Sequence, residues 1–156
     1  MENNGEEKKI ILKNKKAYFD YTILETYEAG VELKGTEIKS IRQGRTSFKD
    51  SYIDARKGEL YVINWNISPY EKGGYTNHDP ERPKKLLLHK KEIKRLIGKI
   101  SQKGLTLIPL SIYLKGKYLK MEIALATGKK KFDKREVLAK RDAQREMERA
   151  LKRHYH

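Results

Sequence analysis

The chain has 156 residues, of which 36 are Lys or Arg and 21 are Asp or Glu, so its formal charge at pH 7 is +15. Such a basic chain favours polyanionic partners, namely RNA, DNA or an anionic membrane. The absence of cysteine excludes disulfides, thiolate zinc sites and cysteine nucleophiles. The length suits one domain with an appendage.

Residues 1–9 are polar, with no apolar stretch long enough for a signal peptide, and residues 1–13 are predicted to form a flexible leader. The longest apolar runs, such as residues 105–110, are too short to span a bilayer. We therefore expect a cytoplasmic protein that does not associate with membranes. We also expect it to be a monomer without cofactors.

Residues 14–127 carry nearly all the β-type patterning, and this segment is the predicted domain. Residues 17–28 are rich in Tyr, Phe, Thr and Ile, which predicts a strand. Lys57-Gly58 and Lys115-Gly116 have the composition of tight turns and predict two hairpins. In the return strand of the first hairpin, strict alternation places Leu60 and Val62 on one face and Trp65 on the other.

Two short helices are predicted between the strands, at residues 36–43 and 89–99. In the second helix, Ile93, Leu96, Ile97 and Ile100 recur at helical spacing. Residues 68–85 form a long loop with three of the four prolines. The pattern predicts a mainly β (α+β) fold, a small antiparallel oligonucleotide-binding-like β-barrel with two or three short helices. A compact α+β sandwich is equally compatible with it.

Residues 128–156 form a basic C-terminal tail with 11 Lys or Arg and 5 Asp or Glu. Good helix formers occupy residues 133–153, but their apolar stripe is thin. A helix with so little to bury is marginal alone. We expect the tail to be disordered, or helical only when bound to a partner.

Catalytic and metal-binding patterns are weak in this chain. His78-Asp79 is half of an acid–base pair at best, and the partners that a catalytic site needs are missing from the sequence. The sequence has no HExxH, no EF-hand loop and no phosphate-binding glycine motif. We predict that the protein is not an enzyme; a small RNase that uses His78 is the catalytic alternative.

Three basic clusters lie beside aromatic or apolar residues, as RNA-binding surfaces require. One precedes Tyr18 and Phe19, one surrounds Tyr118, and one is Lys84-Lys85 before Leu86. Any one cluster is better explained as a solvated face. Three of them on a chain of charge +15 predict binding to a nucleic acid.

Four segments carry a family resemblance: residues 27–30 (YEAG), 35–42 (GTEIKSIR), 79–88 (DPERPKKLLL) and 128–135 (GKKKFDKR). In this order and spacing they closely resemble the SsrA-binding protein (SmpB) family. The resemblance implies an oligonucleotide-binding-like barrel that binds the tRNA-like domain of transfer-messenger RNA (tmRNA). It further implies delivery of that RNA to stalled ribosomes, with the tail near the small-subunit decoding centre and in the mRNA channel.

The resemblance assigns RNA contacts to Glu28, Leu87 and Lys120. Lys120 would bind phosphate, Glu28 would accept from a base N–H or a ribose hydroxyl, and Leu87 would pack on a base. Without the resemblance, Leu87 is better interpreted as a core residue. Phe132 occupies a position where many relatives have His or Tyr.

The predicted RNA-binding residues are Asn14, Lys15, Lys16, Glu28, Lys85, Leu87, Lys117 and Lys120. The predicted ribosome-contacting tail residues are Gly128, Lys129, Lys130, Lys131, Phe132, Asp133, Lys134, Arg135, Lys140, Arg141 and Arg145. A structural ribosomal protein is the alternative function, because it would share the basic charge and the tail.

Overall fold

The computed structural model describes residues 7–74, 77–129 and 144–150. Ten elements are assigned in residues 8–128, and a further helical segment covers residues 144–150. In chain order the ten elements are β1 (Lys8–Lys13), α1 (Lys15–Asp20), β2 (Tyr21–Val31), α2 (Gly35–Arg42), β3 (Thr46–Arg56), β4 (Glu59–Ile67), β5 (Lys84–Leu87), α3 (Lys90–Ile100), β6 (Leu105–Lys115) and β7 (Tyr118–Gly128).

Six antiparallel strands close into a barrel in the order β6-β3-β4-β5-β2-β7, and β7 pairs again with β6. The seventh strand, β1, pairs with the C-terminal half of β6, beyond the point where Ile53 of β3 meets Leu107. Each of the six strands has a neighbour on both sides, and the C-terminal half of β6, which extends beyond β3, is covered by β1. The predicted oligonucleotide-binding-like barrel is confirmed, and the fold is not the alternative α+β sandwich.

Both predicted hairpins form at the predicted turns. Lys57 and Gly58 have φ values of 51° and 75°, the left-handed pair that a two-residue type I′ turn requires. In the β6–β7 hairpin, Gly116 has φ 61° and lies between Lys115 and Tyr118, the last register pair. Glycine adopts this conformation without steric cost.

A bulge changes which face Trp65 occupies. Asn64 has φ 62°, and the β3–β4 register shifts between the pairs Phe48↔Trp65 and Tyr52↔Ile63. The prediction from strict alternation was therefore wrong: Trp65 is buried in the same core as Leu60 and Val62. A bulge inserts residues into one strand and resets the alternation beyond it.

The strand predicted at residues 17–28 is wrong in its first part, where α1 forms. Asn14 caps this helix, since its side-chain oxygen accepts from the Ala17 N–H at 3.3 Å. Ala17 is buried beside Ile108 and Leu110 in a small second core. The cap and this packing outweigh the β propensity of the two aromatic residues that follow Ala17.

The predicted leader also needs correction, because Lys8–Lys13 forms strand β1. It pairs with β6 from Lys8↔Lys115 to Lys13↔Ser111. Ile11 and Leu12 pack against the main core. The C-terminal half of β6 gives this segment backbone partners that its own sequence does not indicate.

Both predicted helices are confirmed as α2 and α3. Ile41 of α2 and Ile93 and Leu96 of α3 are buried in the main core. Within the residues that the structure describes, no helix is both long and apolar enough to cross a membrane. The tail helix predicted at residues 133–153 is described only at 144–150, which are helical; the remainder lies outside the described residues.

Candidate nucleic-acid interface

A row of register partners crosses the outer surface of three barrel strands. Leu87 of β5 lies opposite Gly30 of β2, and Gly30 lies opposite Lys120 of β7. Residues that face each other across a ladder project from the same side of the sheet. A Cβ atom at Gly30 would lie 3.3 Å from the Leu87 Cβ, tighter than ordinary van der Waals contact, so the glycine lets Leu87 lie close against the β2 backbone.

Leu87 has 48% of its surface exposed, which overturns its interpretation as a core residue. In the four residues of β5, Lys84 and Leu86 are buried while Lys85 and Leu87 face outward. The strand therefore presents one lysine and one leucine to each side. The outward pair contributes to the groove described next.

Glu28 lies two residues before Gly30 and so projects from the same face. The Tyr113 hydroxyl donates a hydrogen bond to Glu28 Oε2, and the Lys115 ammonium lies 3.6 Å from Oε1. The Tyr113 hydrogen bond lowers the pKa of Glu28, with Lys115 and Lys120 adding to the effect and partial burial opposing it. Glu28 is thus held as an ionised hydrogen-bond acceptor.

Tyr113 is itself buried on this outer face. Burial, followed by the hydrogen bond to Glu28, raises the pKa of its hydroxyl, so Tyr113 remains a donor at neutral pH. The Lys8 ammonium of β1 lies 4.1 Å from the centre of the Tyr113 ring. Strand β1 therefore covers the tyrosine that fixes Glu28.

Five of the eight predicted RNA-binding residues come together here. Glu28, Lys85, Leu87 and Lys120 line one groove of about 540 Å³ beside the start of α3. Lys117 lines an adjoining groove that shares Gly30, Leu87 and Lys120 with the first. We call this surface the Gly30 face; its members are Glu28, Gly30, Lys85, Leu87, Lys117 and Lys120.

Asn14, Lys15 and Lys16 lie elsewhere, at α1. The Asn14 side chain is occupied within the protein: it caps α1 and donates to the Pro109 carbonyl at 2.8 Å. Lys15 is exposed, and the Lys16 ammonium lies 3.3 Å from Asp50. Asn14 is therefore a structural residue, and the two lysines belong to a separate surface.

The tail begins beside α1. Gly128 pairs with Tyr21, and the Lys129 N–H donates to the Asp20 carbonyl at 2.8 Å. The Lys129 ammonium reaches the Tyr18 carbonyl at 3.4 Å. Of the other predicted tail residues, Arg145 lies in the helical segment 144–150. Those that lie outside the described residues are Lys130, Lys131, Phe132, Asp133, Lys134, Arg135, Lys140 and Arg141.

Two charged residues of the 79–88 segment, Arg82 and Lys84, anchor the long loop through contacts inside the protein. The Arg82 guanidinium contacts both oxygens of the fully buried Glu37, at 2.6 and 3.2 Å. The buried Lys84 ammonium donates to the carbonyls of Trp65 and Pro80. Burial lowers the pKa of Lys84 to about 8. We call Glu37, Arg82 and Lys84 the loop anchor.

His78 is also structural. Its Nε2 donates to the Ile67 carbonyl at 2.8 Å, since a carbonyl can only accept, and its Nδ1 pairs with the Thr36 hydroxyl at 2.8 Å. The side chain is buried, and both ring nitrogens are engaged. Among the described residues, no group of three His, Cys, Asp or Glu side chains could hold a metal ion.

The family model described as SmpB protein matches residues 11–153 of this chain. The chain belongs to the SmpB protein family. Similar curated members are named SsrA-binding protein. The one from Carboxydothermus hydrogenoformans is 60% identical over 94% of this chain and 99% of its own length. The one from Gloeothece citriformis is 56% identical over 98% of this chain and 99% of its own length.

A solved structure described as "tmRNA-SmpB: a journey to the center of the bacterial ribosome" is also similar. It is 53% identical in sequence, with a TM-score of 0.65, over 81% of this chain and 93% of that one. The predicted family is therefore confirmed. The fold of an SmpB family member and the barrel described above agree.

Sequence reasoning missed Gly30 and Tyr113 as parts of the interface. Gly30 lies within one of the four family-like segments, and its two-residue spacing from Glu28 was a usable signal. Tyr113 carried none, because its contact with Glu28 spans 85 positions of sequence. Only the β2–β7 and β6–β7 pairings bring the two residues together.

Proposed function

We propose that the protein binds the tRNA-like domain of tmRNA through the Gly30 face and delivers it to stalled ribosomes for trans-translation. Family membership supports this function, since the relatives are SsrA-binding proteins and the solved neighbour is tmRNA-SmpB at the bacterial ribosome. The observation that carries the assignment of the surface is the row Leu87–Gly30–Lys120 beside an ionised Glu28.

Each side chain of this row has a distinct use in RNA binding. Lys120 neutralises a phosphate and releases counterions. Glu28 accepts a hydrogen bond from a ribose 2′-hydroxyl or a base N–H, and the exposed Leu87 packs on an unstacked base. The bare backbone at Gly30 lets the RNA approach closely between them.

The C-terminal tail binds the ribosome. Beginning at Gly128 and Lys129, it leaves the barrel beside α1, and its basic residues bind rRNA phosphates in the decoding centre and mRNA channel. A segment that folds on binding reports whether its site is vacant, because only a vacant site provides the contacts that offset the ordering cost. Lys15 and Lys16 extend this tail-side surface.

The protein acts as an adaptor and performs no chemistry itself. The remaining catalytic candidate, His78, has both ring nitrogens engaged in structural hydrogen bonds. A general base must reach the proton that it removes. Purified protein should therefore leave the RNA intact, and cleavage that His78→Ala abolishes would contradict this assignment.

Deletion of residues 130–156 separates the two surfaces. The truncated protein should bind the tRNA-like domain within about twofold of the full chain, because the Gly30 face is intact and phosphate contacts act locally. It should lose ribosome rescue, measured as tagging of a nascent chain on a ribosome stalled without mRNA in its channel. A large loss of RNA affinity would move the binding surface into the tail, and unimpaired tagging would remove the tail's role.

A further inference from the structure

A second groove lies between the end of α2 and the start of β7. Its volume is about 300 Å³. Leu33, Ile38 and Leu119 contribute an apolar floor, while Arg42 and Lys117 contribute cations at the rim. It adjoins the groove of Glu28 and Lys85, because Gly30, Leu87 and Lys120 line both.

The charges that line this second groove all have one sign. Its cations are Arg42, Lys117 and Lys120, and among the described residues no Asp or Glu lines it. The adjoining groove, by contrast, includes Glu28, Glu59 and Glu92, and the groove at α1 includes Asp20 and Asp50. A concave site lined by cations alone concentrates an anionic ligand.

The cations at its rim are also available. Within residues 7–74, 77–129 and 144–150, no carboxylate forms an ion pair with Arg42 or Lys117. Both side chains are exposed. An unpaired guanidinium beside an apolar floor is suited to a phosphate attached to a flat, apolar group.

Tyr118 supplies an aromatic surface at the same rim. Tyr118 is 59% exposed, a larger fraction than that of the exposed aromatic residues Phe19, Tyr18 and Tyr52. The Lys117 ammonium lies 5.7 Å from the centre of its ring. Exposed tyrosine rings next to cations are stacking platforms for unpaired bases.

We infer that this groove binds one unpaired nucleotide of the RNA held on the Gly30 face. The base stacks on Tyr118 over the apolar floor, and the flanking phosphates contact Arg42 and Lys117. The inference rests on the proposed function and adds Arg42 and Tyr118 to the RNA-binding residues. Gly30 joins the two grooves, because a side chain there would stand between them.

The test is binding of the labelled tRNA-like domain to the full-length protein and to single variants. Arg42→Gln removes the phosphate contact, and Tyr118→Ser removes the ring. Tyr118→Phe keeps the ring, and Lys103→Gln removes one exposed positive charge from the turn before β6. Affinity, its salt dependence and the protection of individual nucleotides from hydroxyl radicals are measured for each variant, with thermal unfolding as the check on folding.

Tyr118→Ser should weaken binding about tenfold, as loss of one base–aromatic stack does. Arg42→Gln should reduce the slope of log affinity against log salt by about 0.7, the value for one phosphate of a single strand. Both variants should lose protection of the same nucleotides. Tyr118→Phe should weaken binding far less than Tyr118→Ser because it keeps the ring, and Lys103→Gln should bind as the unaltered protein does.

Affinities within twofold of the unaltered protein for Arg42→Gln and Tyr118→Ser, with an unchanged footprint, would overturn the inference and assign the groove to another ligand, such as an acidic peptide. The proposed function would survive that result. If the unaltered protein itself bound the tRNA-like domain no better than bulk tRNA, the proposed function would fail and the inference with it.

Discussion

Lys84 and Lys85 are neighbours in β5 with opposite roles. Lys84 points into the protein, where its ammonium donates to two backbone carbonyls and lies 5.3 Å from the centre of the Trp65 ring. Lys85 points outward to the Gly30 face, with Glu59 4.0 Å away. The same residue type thus belongs to the loop anchor in one case and to the candidate interface in the other.

The difference lies in the partners. In the loop anchor, the buried charges are satisfied by protein groups: Glu37 by Arg82 and the Lys34 N–H, and Lys84 by carbonyls. On the Gly30 face and the adjoining groove, Lys120, Lys117 and Arg42 have no ion-pair partner among the described residues. Charges satisfied internally stabilise the fold, and unsatisfied exposed charges are available to a ligand.

The largest expected effect comes from breaking the loop anchor. Glu37→Ala leaves Arg82 without its partner and should lower the free energy of unfolding by about 3 kcal/mol, as removal of one member of a buried ion pair does. The measurement is denaturant unfolding. Glu71→Ala removes a largely exposed partner of Arg45 and should cost less than about 1 kcal/mol. Equal losses in the two variants would show that burial does not distinguish the pairs.

An intermediate effect comes from the Gly30 face. Lys120→Ala should leave the unfolding free energy within about 0.5 kcal/mol of the unaltered value, because the side chain is not in the core. It should weaken RNA binding and reduce the salt slope by about 0.7 to 0.9, as loss of one phosphate contact does. Titrations at several salt concentrations check this, with Lys103→Ala as the charge-matched control. An unchanged slope would mean that Lys120 does not contact a phosphate.

The smallest effect concerns an exposed charge with protein partners. Hydrogen bonds from Arg95, then from the Tyr27 hydroxyl, lower the pKa of Glu25 from 4.5 to about 2. A carboxylate with a lowered folded-state pKa stabilises the protein above pH 4.5 and loses that contribution as the pH falls toward 2. The fall in the melting temperature over this pH range should therefore be shallower in Glu25→Gln.

Glu146→Gln, which removes the same charge from the helical segment 144–150, is the matched control for this comparison. A Glu25→Gln profile as steep as that of the unaltered protein would remove Glu25 as a source of acid sensitivity. RNA affinity at neutral pH should not change in either variant, because neither residue belongs to the Gly30 face.

The sequence predicted much of the barrel because its local signals and its tertiary contacts agree. Lys57-Gly58 forms the turn that its composition predicts, with both residues in the left-handed region, and the apolar stripe of α3 packs into the core. At α1 and β1 the local signals and the tertiary contacts disagree. Asn14 donates to the Pro109 carbonyl and β1 pairs with β6, and both of these partners are distant in sequence. The bulge at Asn64 likewise depends on its pairing with β3 and cannot be derived from alternation.

The candidate site was predictable only in part for a related reason. Alternation in β5 shows that Lys84 and Lys85 face opposite sides, but each side of KKLL carries one lysine and one leucine. The pattern therefore cannot say which lysine is buried. The resemblance to a family placed Leu87 on the surface, where the structure has it. No sequence signal indicated that the Asn14 side chain caps α1 and donates to the Pro109 carbonyl, which is 95 positions away.

The most direct test of the central claim is a competition titration. The protein is titrated onto the labelled tRNA-like domain of tmRNA at near-physiological salt, with bulk tRNA as competitor. Phosphate contacts alone do not discriminate between RNAs, whereas a shaped face with an ionised acceptor and an apolar contact does. We predict binding that persists in excess bulk tRNA, with this selectivity lost in Leu87→Ala, which removes the apolar contact. Equal displacement by any tRNA would contradict it and would leave a basic barrel without a specific RNA partner.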